Sequence, residues 1–162
     1  MHCDSVSLEK FSKSKMACYD VVIFGGGIHA GRISGIKFIK NNISLLAKKK
    51  IIVFATGATA PISEEIERFR KDNVPDGKGI TFFYFQSGMN YTKMNRTDRL
   101  LMRALKTALK MKKEKTDIEQ GTLDAIQNSY DYSSQNQIEP LIKYINEIEF
   151  SNEHNIKLTD SN

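Results

Sequence analysis

A chain of 162 residues, 40% hydrophobic and 27% charged, can bury one core and is too short for two ordinary domains. Its net charge of +5 is a modest basic excess, with no meaning for partners until it is located along the chain. Cys3 and Cys18 have no C-x-x-C spacing and no histidine cluster beside them, which excludes a disulfide framework or a zinc site, and no window resembles a signal peptide or a membrane span, so a cytoplasmic protein is expected.

Tyr19 to Phe24 is a β-branched and aromatic run ending in glycine, the pattern of a strand buried on both faces. Ile33, Ile36, Ile39 and Ile43 then recur at helical spacing, with Phe38 and Leu46 beside them and Lys37, Lys40 and Asn41 outside, which predicts an amphipathic helix. IIVFATG at 51–57 reads as a second buried strand, and strand, helix and strand together predict a parallel βαβ unit. Ser63 opens a short helix, SEEIERFRK, in which Glu64, Glu65 and Glu67 read as a solvated face. After the turn VPDGKG, ITFFYFQSG at 80–88 is a third strand. The fold class is therefore α/β, a three-layer sandwich on a parallel sheet. Its strand-end loops GGGIHAG, ATGATAP and QSGMNYTKMN should gather at one edge and form the ligand crevice.

From Thr97 the chain turns helical. TDRLLMRALKTALKMKK carries Leu101, Ala104, Leu105, Ala108 and Leu109 on one stripe, with Arg99, Arg103, Lys106, Lys110 and Lys112 largely elsewhere. Thr116-x-x-Glu119 is a capping-box pattern for a helix ending near Asn128. Ile138, Leu141, Ile142, Ile145 and Ile148 mark a last amphipathic helix limited by Pro140, and 149–162 form a polar tail after a domain of residues 1–148.

Gly25-x-Gly27-x-x-Ala30 satisfies the glycine pattern of a dinucleotide-binding turn. That fingerprint also needs an acid at the end of the next strand, and Ile43 to Pro61 contains no Asp or Glu. A P-loop would need Lys and Ser or Thr where Arg32 and Ile33 stand. With only His2, His29 and His154, and no G-x-S-x-G turn, no serine-hydrolase set is indicated. What remains is a set of uncharged, glycine-rich loops, a seat for a flat and largely apolar ring.

YDVVIFGGGIHAGRISGIKFIK, IIVFATGATAP, FFYFQSGMNYTKMNRTDRLLMRALKTALK and IEPLIKYI, in this order and spacing, resemble the flavodoxin-domain proteins related to menaquinone-dependent protoporphyrinogen oxidase. The resemblance implies a flavodoxin-like fold, FMN as cofactor and electron-transfer or oxidase-type chemistry. It implies ring contacts from Gly26, Gly27, Ile28, His29, Ala30 and Gly31 in the first loop and from Thr56, Gly57 and Ala58 in the second. His29 reads equally well as an ordinary loop histidine.

Against the family pattern, Cys3–Ser7 corresponds to strand 2, so the chain is expected to be N-terminally shortened, without strand 1 and its phosphate loop, and to bind FMN weakly or not at all. The edge of the strand at 20–24 would then be filled by Cys3–Ser7, by another segment or by another chain, a homodimer included. The expected partner is a redox protein or quinone. Nucleic acid is not expected, because the basic stretch lacks interleaved aromatics. The alternative function is a non-catalytic scaffold that meets a partner or a membrane surface through 96–115, which holds eight basic residues against Asp98 and Glu114. The competing view of this stretch is a solvated face on a helix packed over the sheet.

Overall fold

The computed structural model describes residues 3–76, 79–91, 93–126 and 129–148, so the polar tail at 149–162 and the expected helix end at Asn128 lie outside the described residues. In chain order the elements are β1 (Val21–His29), β2 (Arg32–Ile33), α1 (Lys37–Asn41), β3 (Lys50–Gly57), α2 (Ser63–Asn73), β4 (Ile80–Gln86), α3 (Arg96–Met111) and α4 (Asp117–Ala125), followed by α5 at 139–148.

The three β-branched and aromatic runs form the parallel ladder β1-β3-β4, and β2 lies antiparallel along the outer side of the end of β1. Register aligns Phe24 with Val53 and Val53 with Phe82, so these aligned residues, and every second residue along each strand from them, share a face. On one face Val22, Phe24, Ile51, Val53, Ala55, Phe82 and Tyr84 pack against Ile33, Ile36, Ile39 and Leu46, with Met16 and Val74 closing the cluster. On the other, Ile52, Phe54, Phe83 and Phe85 are covered by Leu141, Tyr144, Ile145 and Ile148 of α5. Helices on both faces of a mostly parallel sheet make the expected three layers.

The glycine run does not break β1 where the sequence predicts. The strand continues through all three glycines to His29 and turns at Ala30–Gly31 into β2. The helix predicted around Ile33–Leu46 is cut to the five residues of α1. Gly35 sits at φ +76° before it, and Asn42 ends it by donating its side-chain N–H to Phe38 O at 2.7 Å. The isoleucines still point inward because a hairpin arm, a short helix and successive turns bury them without one continuous helix.

Cys3–Ser7 stays out of the sheet. Two 3-10 turns follow it, Leu8–Lys10 and Lys13–Cys18, anchored on the helical side by Met16 in the core and by Phe11 edge-on to Phe38 at 5.9 Å. Asp20 O accepts from Lys50 N–H and Gly27 O from Ser34 N–H, so ladder alternation turns the backbone groups of Val21, Ile23 and Gly25 away from β3. Along Val21–Gly25, no strand among the described residues takes that outer edge.

Nor does α3 lie over the sheet. It packs on α4 around Leu109, Leu123 and Ile126, a cluster separate from both sheet faces.

Candidate functional site

Two consecutive left-handed residues, Ala30 at φ +47° and Gly31 at φ +78°, fold the chain back between His29 and Arg32 as a two-residue hairpin turn. The turn is held from below by Asn73, only 2% exposed at the end of α2. Its Oδ1 accepts from Ile33 N–H at 2.9 Å, while its Nδ2 donates to Gly31 O at 2.9 Å and to Phe69 O at 3.0 Å. One buried amide therefore fixes the tip of the hairpin against the helix layer.

The glycines have individual reasons. A Cβ on Gly25 would fall 2.1 Å from the Phe54 ring, and one on Gly26 would meet Ser34 O at 2.6 Å and Ile33 Cγ2 at 2.8 Å. Gly27 faces only Thr56 Oγ1, at 3.9 Å, and a side chain on Gly31 would have nothing within 4 Å. The close approaches thus fall at the start of the run, and the space opens toward its end.

Register pairs Gly26 with Ala55 and Gly27 with Thr56, so the two pairs face opposite sides of the sheet, and a Cβ on Gly57 would meet Tyr84 Oη at 2.9 Å and Ile28 Cβ at 3.5 Å. Gly27 and Thr56 accordingly form an uncharged, open patch on one face at the carboxyl ends of β1 and β3, while Gly26, Ile28 and Gly57 turn to the other face, toward Ile33 and Tyr84. Ala30 and Gly31 stand at its rim, and among the described residues their N–H groups have no hydrogen-bond partner in the chain. Ala58 lies just beyond, its carbonyl accepting from Tyr130 OH at 3.4 Å. His29 is exposed, and its Nε2 lies 3.4 Å from Asp98 Oδ1 near the start of α3.

At the end of β4, Ser87 N–H donates to Gly57 O at 2.7 Å, and Met89 exchanges backbone hydrogen bonds with Tyr130 at 2.9 and 3.0 Å. Beside this bridge an open cleft of about 430 Å³ is lined by Gly88, Met89, Asn90, Ser129, Tyr130, Asp131 and Ser133. None of the sequence-predicted ring contacts lines it. Ser129 Oγ accepts from Tyr91 N–H at 3.0 Å and Asp131 Oδ1 from Ser133 N–H at 2.8 Å. That hydrogen bonding to Ser133 holds the Asp131 carboxyl below its usual range.

Several residues that sequence reasoning missed shape the site. Tyr84 stacks on Phe69 with ring centroids 5.8 Å apart and donates to Thr59 O at 2.6 Å, pinning the loop after β3. Burial pushes its phenol up to about 12. Burial likewise raises Tyr130. Gln137 mimics a strand at the outer edge of β4, accepting from Gln86 N–H at 2.7 Å and donating to Gln86 O at 3.2 Å. The sequence signal for Asn73 is its position four residues after the buried Phe69, an amide on the apolar side of α2.

Among the described residues no group of three or more His, Cys, Asp or Glu could hold a metal ion. The patch is uncharged, open over Gly27 and Gly31 and edged by backbone donors, features that fit the ring of FMN. No curated protein and no solved structure gives a match to the chain. Residues 1–119 match the model of a family described as the flavodoxin domain, and with that match over most of its length the chain belongs to the flavodoxin-domain family.

Proposed function

We propose that this protein is an FMN-dependent redox protein that grips the flavin mainly by its ring. The observation that carries the reading is the open, uncharged patch over Gly27 and Thr56 with the N–H groups of Ala30 and Gly31 at its rim. Family membership supports the choice of cofactor. Bound FMN supplies one- and two-electron transfer. The chain's own part is to donate the Ala30 and Gly31 N–H groups to the polar edge of the ring and to lay the backbone of Gly27 against its face. Asn73 keeps the hairpin tip in place for this. The cleft at Gly88–Asn90 and Ser129–Ser133 adjoins the loop after β3 and is where an electron donor or acceptor would dock. A quinone acceptor, as in the oxidases whose segments the chain resembles, belongs to the same reading.

The phosphate half of the site is weak. In a doubly wound sheet the neighbouring strand-end loop and helix N-terminus hold the phosphate, and the outer edge of β1 carries no strand over Val21–Gly25 among the described residues. Titrating the chain into FMN tests both halves. The expected result is quenched flavin fluorescence with a dissociation constant of about 10 μM or weaker, and loss of quenching in Gly27→Leu, which fills the open face over Thr56. A sub-micromolar constant would overturn the weak phosphate half. Absence of quenching at saturating FMN would overturn the flavin reading.

A further inference from the structure

We propose that α3 is a membrane-surface helix that lays an exposed leucine face on an anionic lipid bilayer. At 100° per residue its sixteen positions divide into three sectors. Met102 and Leu109, seven residues apart, turn inward onto Leu123 and Ile126. Arg96, Arg99, Arg103, Lys106 and Lys110 follow one ridge at alternating spacings of three and four. Leu100, Leu101, Ala104, Leu105, Ala108 and Met111 make up most of the remaining arc, with Thr97 among them and Thr107 at its edge. That arc faces outward, with Leu100 69%, Leu101 50% and Met111 78% exposed.

Residues 96–115 carry a surplus of six positive charges, more than the +5 of the entire chain, so the rest of the molecule is close to neutral. A bland solvated face does not place leucines outward beside such a ridge. An interfacial helix does: its apolar face enters the acyl boundary while lysines and arginines meet acidic headgroups. The ridge selects an anionic surface, and the apolar arc selects one that accepts side chains rather than merely attracting charge. No helix of the described residues is long and apolar enough to cross a membrane, so the contact lies along the surface.

The anchoring of α3 suits this geometry. Asn95 caps its start by accepting from Asp98 N–H at 2.8 Å, and Asp98 also meets His29 of the hairpin. A docked α3 would therefore hold the carboxyl edge of the sheet near the bilayer.

Co-sedimentation of the full chain with vesicles tests the proposal without any flavin, so it stands or falls separately from the cofactor reading. Vesicles of phosphatidylcholine alone should leave the protein in solution, and vesicles that also contain phosphatidylglycerol should pellet it. Binding should fall steeply when salt is raised from about 0.1 M to about 1 M. Leu100→Ser with Leu101→Ser, and separately Arg103→Gln with Lys110→Gln, should each weaken binding about tenfold or more. Circular-dichroism melts of both variants should match the parent, because all four positions are exposed. Failure to bind the anionic vesicles, or binding indifferent to the leucine substitutions, would overturn the proposal. So would sedimentation velocity showing a dimer that the leucine substitutions dissociate while vesicles capture nothing, since the arc would then belong to a second copy.

Discussion

Asn73 satisfies three backbone groups with one side chain, two of them on the hairpin that forms the rim of the proposed flavin patch. Asn73→Ala leaves buried partners without hydrogen bonds, and urea unfolding should show a loss of about 2 kcal/mol. The glycine run should respond in a graded way. Gly26→Ala drives a Cβ into the backbone carbonyl of Ser34 and should cost about 2–3 kcal/mol, because the hairpin arm itself must shift. Gly25→Ala meets a ring that can swing aside and should cost less, and Gly27→Ala should fall within about 0.5 kcal/mol of the parent. Thermal melts at high pH report on Tyr84. Its phenol titrates near 10.0 when unfolded and about 12 when folded, so the folded chain holds the proton more tightly. Its contribution is complete below pH 10 and is lost as pH rises through 12, and Tyr84→Phe should make the fall in Tm over that window shallower. None of these roles was legible as such in the sequence. GGG announced close approach, but whether to a ligand or to Phe54 and Ser34 depends on partners 8 to 29 residues away, which only tertiary packing brings together.

The elements with strong local signals formed as the pattern predicts. Three apolar runs became the parallel ladder, and Thr116 with Glu119 makes a complete capping box at α4. Isoleucine spacing misled at α1, because inward-facing residues every three or four positions also arise from a hairpin followed by turns, and Gly35 in the left-handed region forbids one continuous helix. For α3 the periodicity was legible and its packing was not, since an apolar stripe does not say whether sheet, helix or bilayer covers it. Holding only a small cluster of its own, the α3–α4 pair should open independently of the sheet. Hydrogen exchange should be faster across 96–126 than in β3, whose Ile52 and Val53 are fully buried. Thr116→Ala removes the cap, at a local cost of about 1 kcal/mol, and should speed exchange in α4 by roughly fivefold while leaving β3 unchanged.

At the scale of the molecule, a three-layer sheet brings the ends of β1, β3 and β4 to one edge, as strand order in an α/β fold requires. The proposed ring patch sits there, its hairpin rim tied to α2 by Asn73 and the loop after β3 held by Tyr84 of β4 and by Tyr130. Beside it, the outer edge of β1 along Val21–Gly25 carries no strand among the described residues, where a further strand would bring a phosphate-binding loop. If the ring alone is gripped, removing the phosphate should change little. The decisive measurement is therefore the ratio of dissociation constants for riboflavin and FMN, read by fluorescence quenching under identical conditions. The account predicts that both flavins bind and that the constants agree to within about threefold, a difference under about 1 kcal/mol. FMN binding a hundredfold or more tighter than riboflavin, by about 2.7 kcal/mol, would contradict it, and so would binding of neither.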